Sequence, residues 1–236
     1  MELILSLVAG LGTVAGAVCL ALFGKLKPKT FSLLLGVAAG VMAAVVLLDL
    51  LPASLAYGLF TTLGGFAVGL GLLGLTEVCL SFLDASSGES SRFLRMGYLI
   101  AAGIALHDLP EGLAIAAGFA TSTIGPFLAL AIGLHNIPEG LAIAAPLRYG
   151  GMSSLRVTGL CVLISFVTPL GTFLGLTAIR SHSALIGPLL ALAAGAMTYI
   201  VVGELLPKSR QLGAKSAYLG LVAGFGFISG VSLLAH

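Results

Sequence analysis

The sequence predicts an all-α membrane protein, and three observations support that prediction. Hydrophobic residues make up 58% of the chain and charged residues 8%, a balance outside the range of water-soluble domains. The mean hydropathy is +1.16. A helical membrane span needs roughly 20 apolar residues, and eight such stretches use almost all of the 236 residues. We therefore expect a single transmembrane domain over residues 1–236 and no soluble domain.

Polar, charged or glycine-rich breaks separate the eight predicted transmembrane helices. In chain order they are Leu3–Phe23, Phe31–Leu51, Leu59–Phe82, Tyr98–Phe119, Ile124–Leu147, Leu155–Ile179, Leu185–Leu206 and Ser216–Ala235. Each is long enough to cross the hydrocarbon core of a bilayer as a helix. The sequence thus predicts a polytopic protein whose partner is the lipid bilayer.

The orientation follows from the basic residues, because cytoplasmic loops collect lysine and arginine. The segments after the first, third, fifth and seventh spans contain nearly all of them: Lys25, Lys27, Lys29, Arg92, Arg95, Arg148, Arg156, Lys208, Arg210 and Lys215. The other side has only Arg180. We expect a multi-pass protein of the cell (inner or plasma) membrane with both termini outside. The net charge of +2 reflects this asymmetry and does not indicate nucleic-acid binding.

An internal repeat relates the second predicted span to the seventh. Gly40–Met42 leads to Asp49–Ser54 in the second, and Gly195–Met197 leads to Glu204–Ser209 in the seventh, in the same register. An odd number of membrane crossings separates the two spans, so they run in opposite directions. Carriers built from inverted repeats bind their substrates at the repeat interface.

A weaker echo relates the first span to the sixth. Leu11–Thr13 and Gly16 resemble Leu170–Thr172 and Gly175. Together the two echoes predict a 3+2+3 arrangement, in which spans one to three and six to eight form an inverted pair around spans four and five.

Spans four and five contain a sharper repeat, which predicts a metal site. His107–Ala117 reads HDLPEGLAIAA and His135–Ala145 reads HNIPEGLAIAA. Histidine and glutamate four residues apart lie on the same face of a helix. Each span therefore offers an imidazole nitrogen and a carboxylate side by side, and two facing spans offer four ligands.

Burial of charge supports the same prediction. Asp108, Glu111 and Glu139 lie at bilayer depth, where an ionisable group costs about 2.5–3.5 kcal/mol even on insertion scales. No lysine or arginine lies at mid-depth in a predicted span to neutralise them. Protons or a bound cation must therefore compensate the charge. Imidazole combined with carboxylate suits zinc and its divalent neighbours.

These motifs resemble those of the ZIP (Zrt/Irt-like) divalent-metal transporters, which have eight spans, outside termini and HNxPEG-type motifs in spans four and five. The resemblance covers essentially the whole chain. It implies a binuclear centre with bridging glutamates, elevator-like movement and uptake toward the cytoplasm. By position, the first metal would bind His107, Glu111, His135 and Glu139, and the second Asp108, Glu111, Asn136 and Glu139. Thr168 stands where many members have a further glutamate, so the second site lacks a ligand.

Three functions fit these residues. We expect a carrier that transports Zn²⁺ as its substrate, with Cd²⁺, Fe²⁺ or Mn²⁺ as alternatives. An intramembrane metal-dependent hydrolase or a metal-selective channel would use the same ligands. Against the hydrolase, the twin motifs are nearly identical and no HExxH pattern is present. Asp49, Thr168 and Glu204 are possible pathway residues. Asp49 and Glu204 are either entry and exit ligands or solvated span ends, and a homodimer is left open.

Overall fold

The computed structural model describes residues 1–23, 27–83, 88–121, 125–178 and 183–235, and these are helical with short connections. The α-helices are α1 Glu2–Phe23, α2 Pro28–Ala44, α3 Leu51–Leu55, α4 Leu59–Leu83, α5 Glu89–Thr121, α6 Gly125–Tyr149, α7 Ser154–Ser165, α8 Val167–Ala178, α9 Ile186–Tyr199 and α10 Leu206–Ala235. Two π-helical segments, Val45–Leu50 and Ile200–Leu205, join α2 to α3 and α9 to α10. A 3₁₀ turn, Ser183–Leu185, precedes α9.

Within these ranges, 7 helical stretches are long and apolar enough to cross a membrane. The last, Ile186–Gly230, is 45 residues long and contains both the seventh and the eighth predicted spans. Inside it, Gly213 leaves helical geometry with φ 169° and ψ 94°. The prediction of an all-helical polytopic membrane protein is confirmed at this level.

The fourth span begins earlier than the sequence predicted. Helix α5 starts at Glu89 rather than Tyr98 and takes Arg92 and Arg95 into its first turns. The Ser90 hydroxyl donates to the carbonyl of Gly150 at 2.7 Å, which fastens this first turn to the end of α6. The helix can extend because long cationic side chains near a span end keep their charge in water. The predicted boundaries Ile124 and Ile179 lie outside the described residues.

The helices form two bundles. Helices α1, α5, α6, α7 and α8 form the first, which we call the site bundle, with its largest contacts between α1 and α6 and between α5 and α8. Helices α2, α3, α4, α9 and α10 form the flanking bundle, with its largest contacts between α2 and α10 and between α4 and α9. Buried apolar side chains, including Met42, Leu73, Ile104, Met197 and Ile200, form a common core.

Glycines bring the helices within each bundle into backbone contact. In the flanking bundle, a methyl group on Gly69 of α4 would collide with the carbonyl oxygen of Leu192 in α9. A methyl group on Gly40 of α2 would likewise meet the carbonyl of Leu221 in α10. Close approach at small residues is a main source of helix association in membranes, where apolar burial gives little driving force.

The two π-helical segments were not predicted from the sequence. They occupy equivalent places, each ending two residues before a proline, Pro52 or Pro207. The N–H of Leu51 donates to Val46, and the N–H of Leu206 donates to Val201, five residues earlier in both cases. Proline cannot donate a helical hydrogen bond and crowds the preceding turn, and the wider π turn accommodates this. Such segments are frequent at functional sites.

Glycine packing in α4 can be tested with a matched pair of substitutions. Gly69→Ala should lower the unfolding free energy by about 1–3 kcal/mol, because the new methyl group overpacks a backbone contact. Gly71→Ala should leave it unchanged or slightly higher, since nothing lies within 4 Å of that position and alanine is the better helix former. Thermal unfolding in detergent measures both, and equal midpoints would contradict the packing described.

Candidate metal centre

The twin motifs lie side by side on α5 and α6, which pack against each other. His107 and Glu111 belong to α5, and His135 and Glu139 belong to α6. Both helices continue as α-helix past the motif prolines. The four side chains therefore keep the one-turn spacing that the sequence predicted.

The Glu111 carboxylate lies between the two imidazoles. Its Oε1 is 2.6 Å from His107 Nε2 and also contacts His135 Nε2. His107 Nε2 lies 3.8 Å from Glu139 Oε1, and the two imidazole centroids are 6.2 Å apart. One ligand atom from each of His107, His135 and Glu139 lies within 4.8 Å of the others. Tetrahedral zinc requires ligand atoms about 3.3 Å apart, so only a small contraction separates this arrangement from that geometry.

All six motif residues predicted to bind metal are buried. His107, Asp108, Asn136 and Glu139 are 0% exposed, Glu111 is 5% exposed and His135 is 8% exposed. Asp108 interacts electrostatically with both glutamates and with His135. The structure thus brings the six residues together in the interior of the site bundle.

Most of the oxygen atoms in this cluster accept no hydrogen bond from the described protein residues. Both oxygens of Asp108, both of Glu139, Glu111 Oε2 and Asn136 Oδ1 are buried without a partner. Buried acceptors of this kind destabilise a protein unless a donor or a cation satisfies them. Among the described residues, Glu111 forms ion pairs with His107 and His135, and Glu139 forms a longer one with His107. A concentration of unpaired oxygens beside imidazole nitrogens is a donor set that fits a divalent cation.

Helix α1 fixes one member of the cluster. The Asn136 amide nitrogen donates to the carbonyl of Ala9 at 3.1 Å. This bond orients the side chain, so that Oδ1 is the atom left for a ligand. The equivalent residue of the other motif, Asp108, has no such bond. The twin motifs are therefore different in how tightly their second residue is held.

Thr168 of α8 lies against the turn that contains Glu111. A methyl group on Gly112 would collide with the Thr168 carbonyl oxygen. The threonine is 0% exposed, and its hydroxyl has no hydrogen-bond partner among the described residues. Thr168 therefore lies beside the α5 motif.

The other two predicted pathway residues lie in the flanking bundle, each in a π-helical segment. Asp49 is close enough to His107 to interact with it electrostatically across the bundle interface. Half-buried Glu204 instead interacts with Glu77, Arg95 and Lys208. The equivalent acids of the repeat therefore have different surroundings: Asp49 interacts with one candidate ligand, His107, and Glu204 interacts with three other charged groups.

Two features of this region were missed by sequence reasoning. Glu77 accepts a hydrogen bond from the hydroxyl of Tyr199, a contact between α4 and α9 for which the sequence gives no signal. Thr13 of α1 has a buried hydroxyl without a partner. The internal repeat contains Thr13, but the sequence echo between the first and sixth spans aligns it with Thr172 rather than with Thr168.

Comparison with known proteins identifies the family. The model of the family described as ZIP zinc transporter matches residues 79–234. The chain belongs to the ZIP zinc transporter family. The zinc transporter ZupT of Chlorobium chlorochromatii (strain CaD3) is 32% identical over 255 residues, covering 98% of this chain and 95% of the relative. The ZupT of Chlorobium luteolum (strain DSM 273 / BCRC 81028 / 2530) is 33% identical over 98% of this chain and 96% of its own length.

A third relative covers less of the chain. The zinc transporter GufA of Myxococcus xanthus is 36% identical over 146 residues, which is 61% of this chain and 58% of the relative. The ZIP family is one of transporters. Membership confirms the resemblance noted in the sequence and the prediction of a transporter, and the hydrolase alternative is set aside.

Zinc binding by the purified protein tests the cluster. We expect Glu139→Gln and His135→Ala each to weaken binding at least roughly tenfold, or about 1.4 kcal/mol, because each removes a candidate metal ligand. Isothermal titration calorimetry in detergent measures the affinity. Glu2→Gln is the control, since it removes a carboxylate that pairs with the terminal amine of Met1. Unchanged affinity in both cluster variants would contradict the assignment.

Proposed function

We propose that this ZIP-family protein carries zinc across the membrane through the centre between α5 and α6. The observation that supports this most directly is the set of buried, unpartnered oxygens of Asp108, Glu111, Asn136 and Glu139 beside two imidazoles. Only a cation or protons can compensate such a cluster in a membrane. The relatives described above are named zinc transporters. Cd²⁺, Fe²⁺ and Mn²⁺ are alternative substrates for the same ligands.

The family resemblance implies two metal positions, which we include in the proposal. The first has His107, Glu111, His135 and Glu139 as ligands. In the second, Asp108 and Asn136 join the same two glutamates as bridging ligands. With Thr168 in place of a carboxylate, the second position has less negative charge than it would with a glutamate there, and it therefore binds a divalent ion more weakly than such a site would.

The eight-span, 3+2+3 topology is part of the proposal, and glycine contacts support it. The sequence offset from Gly40 to Gly195 also relates Gly65 to Gly220. Their contacts follow the same offset. Gly65 packs against Pro188 and Leu192 of α9, and Gly220 packs against the equivalent residues of α2, Leu33 and Val37. The seventh and eighth spans would then meet at the non-helical Gly213 within α10.

The same offset revises the register of the first and sixth spans. It relates Gly16 to Gly171 and Thr13 to Thr168, one helical turn away from the weaker sequence echo. The Thr13 carbonyl meets Gly140, just as the Thr168 carbonyl meets Gly112. The two glycines hold the same place in the twin motifs, so this register preserves the contacts.

Transport requires the centre to face each side in turn, and we infer that the site bundle moves against the flanking bundle. Hydrogen bonds between helices fasten each bundle internally: Ser32 donates to Ser209 at 2.9 Å, Ser54 donates to Gly187 at 3.0 Å and Thr172 donates to Gly112 at 3.0 Å. Between the bundles lie apolar side chains, such as Ile200 against Gly103. A largely apolar interface slides more easily than a hydrogen-bonded one.

One end of the bundle interface has aromatic and cationic contacts. Phe31 stacks on Tyr149 with ring centroids 4.6 Å apart, and Lys208 Nζ lies 4.3 Å from the centre of the Phe93 ring. This is the end where α2, α5 and α10 begin and α6 ends, and the basic residues collect there. By the positive-inside tendency we assign it to the cytoplasm, with both termini outside the cell membrane. Lipid, or a second copy in a homodimer, would cover the exposed apolar side chains.

Flux through reconstituted vesicles tests the transport proposal. With a metal-sensitive dye inside the vesicles, the wild-type protein should admit zinc. The initial rates of uptake then rank the other divalent metals as substrates. The double variant His135→Ala with Glu139→Ala should lose at least about 90% of the flux, since it removes two ligands of one ion. Glu2→Gln should retain it. Equal zinc flux in wild type and the double variant would contradict the proposed site, and non-saturating high conductance would favour the channel.

Cross-linking tests the movement. We replace Phe93 and Lys208 by cysteine to link the two bundles, and Ser32 and Ser209 by cysteine as a control within the flanking bundle. The background lacks the native cysteines, Cys19, Cys79 and Cys161. A short reversible thiol cross-linker should abolish zinc flux in the first protein and leave it intact in the second, because only the first link opposes relative motion. Full flux in the first protein after complete cross-linking would contradict the two-bundle movement.

A further inference from the structure

We propose that the hydroxyls of Thr13 and Thr168, each on a helix packed against one of the twin motifs, together set which divalent ions the centre accepts. The inference rests on the proposed transport site and adds to it a residue, Thr13, outside the twin motifs. Its role is to position the ion and its bound water.

Burial without a partner is the first observation. Thr13 and Thr168 are both 0% exposed, and neither hydroxyl has a hydrogen-bond partner in the described part of the chain. Neighbouring Thr172 shows the usual solution, since its hydroxyl donates to the backbone carbonyl oxygens of Gly112 at 3.0 Å and of Thr168 at 3.2 Å. An unsatisfied buried hydroxyl costs about 1–3 kcal/mol. Two such groups in one bundle indicate something for them to bind.

Equivalent placement is the second observation. The carbonyl of Thr13 abuts Gly140, the residue after Glu139, and the carbonyl of Thr168 abuts Gly112, the residue after Glu111. The two threonines, in α1 and α8, thus hold equivalent places against the two motifs. Chance does not readily give a threonine with an unpartnered hydroxyl at both of two symmetric positions.

The chemistry of the neighbouring groups says what the hydroxyls would do. The unpartnered atoms of the centre are carboxylate and amide oxygens, which accept hydrogen bonds but cannot donate them. A threonine hydroxyl both donates and accepts. It can therefore donate to a carboxylate while its oxygen faces a cation, or it can hold a metal-bound water.

The neutral hydroxyl oxygens of the two threonines would favour some divalent ions over others. Mn²⁺ prefers oxygen ligands and retains water, whereas Cd²⁺ tolerates nitrogen-rich and softer surroundings. Removing the hydroxyls leaves the imidazoles and carboxylates in place but takes away neutral oxygens. The centre should then discriminate more strongly against Mn²⁺ relative to Cd²⁺.

Isosteric substitution tests the inference. Thr13→Val keeps the side-chain shape and removes the hydroxyl, and Thr168→Val does the same on the other side. The Mn²⁺-to-Cd²⁺ ratio of affinities, measured by calorimetry in detergent, should fall by roughly tenfold in either variant, the size typical of lost outer-shell support. The ratio should fall further in the double variant, and Thr13→Ser should keep the wild-type ratio because serine retains the hydroxyl. Thr62→Val, which removes a buried hydroxyl bonded to Ser54 in the flanking bundle, should not change it.

The readouts separate this inference from the transport proposal. Vesicles that take up no metal with wild-type protein would defeat the transport proposal, while the affinity ratio would still report on the hydroxyls. An unchanged ratio in folded Thr13→Val and Thr168→Val proteins would overturn the threonine pair. So would an equal loss of affinity for both metals, because that is what a purely structural role predicts.

Discussion

Three carboxylates and two imidazoles are buried together between α5 and α6, and the packing of the surrounding helices depends on keeping them buried. Asp108, Glu111 and Glu139 have histidine as their nearby cationic group, and most of their oxygens have no protein donor. Such a cluster is unstable in a membrane interior unless protons or a bound cation compensate its charge. In our proposal, affinity for a divalent ion is a consequence of the cluster's location.

The surrounding packing keeps the cluster intact. Gly112 and Gly140 follow the two motif glutamates, and each meets a threonine carbonyl of α8 or α1. The close approach brings α1 and α8 against the centre and excludes lipid from it. Larger residues at the glycines would separate these helices and open the charged groups to the hydrocarbon. The same principle of glycine contact holds the flanking bundle together, which leaves the apolar boundary between the bundles as the plane of movement in our account.

Much of the centre was predictable from sequence, because the signal is local. The spacing of His107 and Glu111 places both on one helix face, and the repeat supplies the opposing face. The fold class follows from the composition of the chain, which likewise requires no knowledge of tertiary contacts. By contrast, the π-helical segments depend on how a turn relaxes around Pro52 and Pro207, which spacing does not reveal. The bond between Tyr199 and Glu77 joins residues remote in sequence, and the early start of α5 depends on a tertiary contact of Ser90. Thr13 became visible only when contacts fixed the register of the repeat.

The most direct test of the central claim is to locate zinc itself, by anomalous diffraction at the zinc edge from crystals grown with the ion. The account predicts a peak between α5 and α6, within about 2.0–2.2 Å of His107, His135 and carboxylate oxygens of Glu111 or Glu139. Zinc found only elsewhere, for example beside Glu77 and Glu204, with the α5–α6 centre empty at saturating metal, would contradict it.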